Sequence, residues 1–263
     1  MADNAVRNSK LSVMNNGSRL FGRYQYLRGL YNSVLAEAEA RREERQVEHE
    51  ETPSGTVTTY HLPYYELSTN ASWLAMAVID AFFAWTEHIF IHLAILQGHI
   101  TTGAEVAALA GAAWKVKFKR ALDISAGDMK IHFDELLLIR RQLRNFMAHG
   151  AFGKEGEAFH FHSTAGAVPV AFDYTESKPK FSLSPELGFD DAKAIEAIEK
   201  FITHLWSGSL RPAKIYIQES GLPLILPMAH DGTYKKAMSS LDNMIRFVDQ
   251  LTAQFDNAVN MDW

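Results

Sequence analysis

The chain has no cysteine, which excludes disulfides, thiolate nucleophiles and thiolate metal sites and permits a reducing compartment. It also lacks a surplus of positive charge. With 26 Lys and Arg against 31 Asp and Glu, the net charge is −5, so any grip on nucleic acid must come from local patches rather than a broad basic surface. The longest apolar segment, residues 73–93, is interrupted by Asp80, Glu87, His88 and His92, which favours a buried core helix over a membrane span. The amino terminus is rich in Asn, Ser and Arg and carries no apolar secretory core, so a cytoplasmic protein is expected. No Gly-x-Ser-x-Gly elbow and no Gly-rich phosphate loop occurs, and serine-hydrolase and P-loop chemistry drop away with them. Internal repeats and low-complexity segments are likewise missing.

What is there is an ordinary globular composition, 263 residues and 47% hydrophobic, enough to bury a large core. Helix formers dominate residues 20–50, which read as one long helix with a wet far end, stopped by Thr52-Pro53-Ser54-Gly55. The β-branched run Thr56-Val57-Thr58-Thr59-Tyr60 then predicts a short strand or extended connection before Pro63. Asn70 or Ser72 is placed to cap the apolar helix that runs towards Gln97, and a third helix is expected over residues 104–122. A fourth follows from Asp128 through Phe133, Leu136, Leu137 and Leu143, closed by Gly150.

Beyond Gly150 the period changes. Residues 158–162 and 168–174 alternate like strands around Thr164-Ala165-Gly166, which predicts an inserted β-hairpin. An amphipathic helix starts at Asp190 or Asp191; residues 214–218 and 222–226 suggest a second hairpin; residues 235–259 read as a final helix. The expected fold is mainly α, a helical bundle with one or two inserted β-hairpins. Its expected parts are an N-terminal helix and connection (1–69), a core with the hairpin insert (70–206), and a C-terminal hairpin and helix (207–263).

The densest chemistry lies in Arg140-Arg141-Gln142-Leu143-Arg144-Asn145-Phe146-Met147-Ala148-His149-Gly150, where guanidinium, amide and imidazole groups end an amphipathic helix. An Arg presents a planar fork of donors to phosphate, and a His exchanges a proton near neutral pH, so the pair suits phosphodiester chemistry without a metal. A structural role is the competing reading, with Arg144 a solvated cation and His149 a residue favoured by the helix dipole. Asn145 lies one helical turn before His149, where it could orient the imidazole, bind phosphate or cap the helix. Arg144 and His149, five residues apart, point in different directions on an ideal helix, which suits a frayed end or a site shared between chains. Lys115, Lys117, Lys119 and Arg120 in one segment, with Lys130, Arg140, Arg141 and Arg144 in the next, gather positive charge around the motif or line two solvated helix faces. Asp80 and Glu87, two helical turns apart on an apolar helix, call for partners if buried, and Arg140 and Arg144 share a face that could supply them.

Arg144-Asn145, three residues and His149 at the end of a Leu-rich helix resemble the R-x4-6-H motif of HEPN domains. The likeness extends over residues 70–206: an aromatic helix with an internal acid (Phe82-Phe83-Ala84-Trp85-Thr86-Glu87-His88), a Lys-rich helix from Trp114 to Leu122, the segment Phe133-Asp134-Glu135-Leu136, and a late helix ending Phe201-Ile202-Thr203-His204-Leu205. The resemblance implies a helical bundle that forms a homodimer with two motifs facing across a cleft. It implies a metal-independent endoribonuclease, a toxin or phage-defence effector, with RNA as substrate and no cofactor. His149 would assist attack of the 2′-hydroxyl on the adjacent phosphate, and Arg144 would stabilise the charge that develops. Asn145, Glu87, Asp80 and Arg140 are supporting candidates. Family toxins silenced by nucleotide transfer carry a Tyr two residues after the His, whereas this chain has Ala151 there, which argues against that control and a nucleotidyltransferase antitoxin. Another antitoxin or regulatory partner is left open. The alternatives are a non-catalytic module that holds nucleotide, RNA or protein in the same pocket, and a structural dimer whose motif polar groups pair with Asp80 and Glu87.

Two histidine pairs compete as metal sites. His88 and His92 have i,i+4 spacing, and His160 and His162 fall on one side of a strand, with Asp173 able to join the latter only if the hairpin register allows. Neither pair brings a convincing third ligand, so ordinary core or surface histidines are expected.

Overall fold

The computed structural model describes residues 11–53, 55–125, 127–149 and 190–260, and the backbone of four short strands between 160 and 182; side chains 145–149 and 258–260 fall outside the described set. The chain is mainly α with small two-stranded antiparallel sheets, the class that its hydrophobic periods predict. It divides into two units, residues 1–124 with 202–263, and residues 125–201.

The first unit is built on two long helices. α1 (Gly17–Ala40) buries Gly17, Tyr24, Tyr31 and Ala38, a seven-residue interval that makes one narrow seam, while its other faces are wet. α2 (Pro63–Leu96) is buried on most sides, with Phe82, Trp85, Ile89 and Phe90 fully enclosed. Phe21 packs on Trp85 (4.9 Å), Tyr24 on Phe82 (6.2 Å), and Arg42 lies over the Tyr64 ring (4.6 Å). These contacts climb one helix as they descend the other, so the pair is antiparallel. α2 has the length and apolar character of a membrane span, but its apolar sides face α1 and the following helices, as a core helix requires.

Between α1 and α2 the structure corrects the expected helix to residue 50. α1 ends at Ala40, and a hairpin follows, β2 (Gln46–Thr52) on β3 (Gly55–His61), in register from Gln46↔His61 to Thr52↔Gly55, after a two-residue strand β1 (Ser12–Val13) near the chain start. The Glu and Arg residues that favour a helix are overruled by the β-forming run Thr56–Tyr60, which recruits its neighbour by cross-strand pairing. Arg41 closes the helix end by gripping Glu44 at 2.7 and 2.8 Å. α2 begins at Pro63, seven residues before Asn70, because proline suits the first helical turn and Glu66 complements its dipole.

The single helix expected over 104–122 is two: α3 (Gly103–Gly111), with a Thr102–Glu105 capping box, and α4 (Trp114–Ala121). Ala112 and Ala113 are extended between them, a corner that delivers Trp114 to the aromatic face of α2. There Trp114 meets Phe83 and Phe90 edge-on, and its indole N–H donates to Thr86 Oγ1 (2.9 Å).

The second unit holds α5 (Gly127–His149), the strands β4 (His160–Ser163), β5 (Gly166–Pro169), β6 (Ala171–Asp173) and β7 (Lys180–Ser182), and most of α6 (Asp191–Leu205), which crosses the division near residue 201. The expected hairpin is found in part as β4–β5, with Gly166 in the second strand and not in the turn, while residues 171–173, expected to continue that strand, pair with β7 in a second hairpin, β6–β7. On α5 Met129, Phe133, Leu136, Ile139 and Leu143 form the buried stripe. His132 meets Phe201 of α6 edge-on at 5.9 Å.

Back in the first unit, the hairpin expected over 214–226 is absent. After a 3-10 turn, α7 (Arg211–Lys214) runs into a π-helical turn, Ile215–Ser220, ended by Gly221 with φ 66°. Leu224–Ile225 (β8) pairs instead with β1, over 200 residues away in sequence. The β-branched pattern was a true sign of burial and a false sign of strand, because Tyr216 and Ile217 bury themselves from a helical turn. α8 (Leu226–His230), α9 (Thr233–Ala237) and α10 (Leu241–Asn260) complete the unit. The expected final helix is thus broken before Leu241, where Ser240 Oγ accepts from Asn243 N–H (3.1 Å) and starts a new helix.

The start of α1 is pressed against the π-helical turn. A Cβ at Gly17 would lie 2.7 Å from both Cγ2 and O of Ile217. Alanine elsewhere in a helix gains about 1 kcal/mol over glycine; here overpacking costs about 1–3 kcal/mol. Gly17→Ala is expected to lower the thermal midpoint, read by circular dichroism.

Candidate functional site

α5 carries the motif. Its buried stripe fixes which way the helix rolls, leaving Arg141 and Arg144 exposed and Arg140 half-buried. Arg144 has no carboxylate partner among the described residues, so its guanidinium is open to an incoming anion. The helix backbone continues without a break to His149, so Arg144, Asn145 and His149 share one helical frame. The side chains of Asn145 and His149, and all of Gly150 and Ala151, lie outside the described residues. An α-helix rises about 1.5 Å and turns about 100° per residue, which separates the bases of Arg144 and His149 by roughly 7–8 Å along the axis and about 140° around it.

The two acids on α2 part company. Asp80 is exposed, and water satisfies it without a partner. Glu87 is half-buried and accepts from Lys117 Nζ at 2.9 Å, while the Lys117 side chain is 5% exposed. Lys117 is therefore a core residue of α4 and not one of a solvated basic face. Helical spacing carried that signal: Trp114, Lys117, Phe118 and Ala121 occupy the i, i+3, i+4, i+7 stripe, all buried. Lys115, Lys119 and Arg120 are exposed as expected.

The pair is unequal, and the inequality predicts how it fails. Removing one partner of a buried pair strands the other, at a cost of about 3–5 kcal/mol when the survivor is fully buried. Glu87→Ala strands the enclosed ammonium and is expected to cost about 2–4 kcal/mol. Lys117→Met leaves a carboxylate that water already reaches and keeps the packed volume, so a loss under about 1.5 kcal/mol is expected. Urea midpoints of the two variants check this order, and equal losses would contradict it.

The histidine pair of α2 is committed to the backbone. His88 Nε2 accepts from the Asn16 N–H at 2.9 Å. His92 sets Nδ1 against the carbonyl of His88 (2.9 Å) and Nε2 against that of Met14 (3.2 Å), and the two rings lie 4.0 Å apart. Burial, then the neighbouring His92, pushes His88 down to about 3. Burial also lowers His92, against the pull of its two carbonyls. Three of the four ring nitrogens are thereby used, which leaves no chelating face. For the other pair, the backbone puts His160 and His162 in β4, while Asp173 belongs to β6 and pairs within the other hairpin. Among the described residues no three His, Asp or Glu side chains gather as a metal-ligand group.

No family model, no curated protein and no solved structure matches this chain. The functional reading therefore rests on its own residues.

Proposed function

We propose that the chain is a metal-independent endoribonuclease of HEPN type, a cytoplasmic toxin or phage-defence effector that cleaves RNA at a site shared across a homodimer. The observation that carries this reading is the exposed Arg144 guanidinium on the last turns of a well-packed helix whose backbone runs on to His149. A guanidinium on a packed helix, with no carboxylate partner among the described residues, is suited to a phosphate that gains charge during reaction.

In this mechanism His149 takes the proton of the RNA 2′-hydroxyl, whose oxygen attacks the adjacent phosphorus. Arg144 holds the non-bridging oxygens as negative charge builds on them. The bond to the 5′-oxygen breaks, that oxygen gains a proton, and the products are a 2′,3′-cyclic phosphate and a 5′-hydroxyl end. Asn145, one turn before His149, orients the imidazole or the phosphate, and Arg140 adds positive field from the turn before Arg144. Glu87 and Asp80 lie on α2 and take no proton in this scheme. The roughly 140° between Arg144 and His149 on one helix is met most simply when one copy supplies the guanidinium and the other the imidazole.

The test is cleavage of labelled RNA in EDTA by the wild type and by variants of the two motif residues. Cleavage that disappears with the motif supports the reading, and a folded dimer that binds RNA without cutting it supports a binding module instead.

A further inference from the structure

The segment before α1 is strapped to the core by contacts that come from two distant parts of the chain. Its strand β1 pairs with β8 (Ser12↔Ile225, Val13↔Leu224), and the Leu226 N–H donates to Leu11 O at 3.0 Å. The Asn15 side-chain amide donates to the carbonyls of Tyr216 (3.3 Å) and Leu222 (3.2 Å), while its oxygen accepts from the Gly17 N–H (2.9 Å). On the other side stand His88 and His92 of α2, which take the Asn16 N–H and face the Met14 carbonyl.

We propose that His88 and His92 form a proton-operated latch on this strap, so that acidification frees residues 11–16 while the helical core stays folded. The chemistry lies in which atoms donate. Asn16 N–H points at His88 Nε2, so that nitrogen must keep its lone pair, and a proton placed there sets two donors face to face. His92, by contrast, has a carbonyl before each ring nitrogen and can supply both with a hydrogen only as an imidazolium. With the rings 4.0 Å apart, a charge on either opposes a charge on the other. Closed, the latch holds His88 neutral; opened to water, His88 returns to the ordinary imidazole range near 6.5.

Among the described residues, the charged groups nearby are paired or exposed. On α2 the adjacent acid, Glu87, is held by Lys117. On the π-helical turn the charged side chain is Glu219, which pairs with Lys214 at 3.5 Å. Arg19 at the start of α1 and His230 of α8 are both exposed. The strap itself presents amides and carbonyls to the two rings. His92 is the ionisable neighbour that acts on His88.

The sign follows from proton counts. The closed strap binds fewer protons at His88 than the open one, so closure is at full strength above the ordinary imidazole range and weakens as pH falls through it towards the depressed value. Between pH 7 and pH 5 the opening equilibrium should rise on the order of tenfold.

Amide hydrogen exchange resolves this in the intact chain. Rates for Asn16 and Gly17 and for α2 amides of residues 89–96, each divided by its intrinsic rate, are compared at pH 7 and pH 5 in the wild type and in His88→Gln, whose side-chain oxygen can accept from Asn16 without titrating. The latch predicts that Asn16 and Gly17 lose about tenfold protection on acidification, that they stay less protected than residues 89–96 at both pH values, and that His88→Gln flattens the response. Unchanged protection at Asn16, protection at Asn16 and Gly17 equal to that of residues 89–96, or a His88→Gln response like that of the wild type would each overturn it. If His88→Gln does not fold, the wild-type comparison of strap with core still decides.

Discussion

His149→Ala is expected to abolish RNA cleavage, with a loss of about 10²–10⁴-fold in the single-turnover rate. The imidazole is the motif group that can both accept the 2′-hydroxyl proton and return one to the leaving oxygen near neutral pH, and nothing of comparable pKa stands beside it in residues 140–150. The variant should retain its helix content, because the described residues of the buried stripe that anchors α5, Met129 to Leu143, are untouched by the substitution. RNA binding should survive as well. A variant that cuts RNA as fast as the wild type would remove His149 from the chemistry.

Arg144→Ala is expected to lower the rate by about 10²–10³-fold, the usual cost of deleting one group that stabilises charge in the transition state. Arg144→Lys should recover only part of this, since an ammonium keeps the charge and loses the planar fork. The side chain is exposed, so thermal stability should move by less than about 0.5 kcal/mol, and the kinetic loss can be assigned to chemistry. The five-residue spacing adds a sharper expectation. If one copy supplies Arg144 and the other His149, mixing the two inactive alanine variants creates heterodimers with one complete site, and activity should return to roughly a quarter of the wild type under random assortment. A mixture as inactive as its components would contradict a site built from both copies.

How much of this was legible in the sequence depends on where each instruction resides. α5 was, because Asp128 in its first turn and the spacing of Met129, Phe133, Leu136 and Leu143 are local and agree with one another. α2 was legible as a core helix for the same reason, although its start was read late, since a polar Asn70 resembles a cap when Pro63 is the true first turn. β2 was hidden: Gln46–Thr52 carries helix-forming Glu residues and becomes a strand only because β3 is there to pair with it. The pairing of β1 with β8 is not legible, since it joins segments over 200 residues apart and neither announces its partner. At the candidate site, motif and spacing single out Arg144, and the structure shows that its side chain is exposed on α5. Lys117 was grouped with the solvated cations beside it, although its place on the Trp114–Phe118 stripe already marked it as buried. The i,i+4 spacing of His88 and His92 fits metal ligands as well as core histidines, because it records only that two rings are near. Their use is decided by the backbone of Met14 and Asn16, over 70 residues away in sequence.

The most direct measurement is cleavage of a set of end-labelled RNAs by purified wild type and His149→Ala in the presence of EDTA, with the chemistry of the new ends determined. The account predicts cleavage by the wild type without divalent metal, products ending in 2′,3′-cyclic phosphate and 5′-hydroxyl, and no products from the variant. A folded wild-type protein that leaves every RNA intact, or that leaves 5′-phosphate ends, would contradict it.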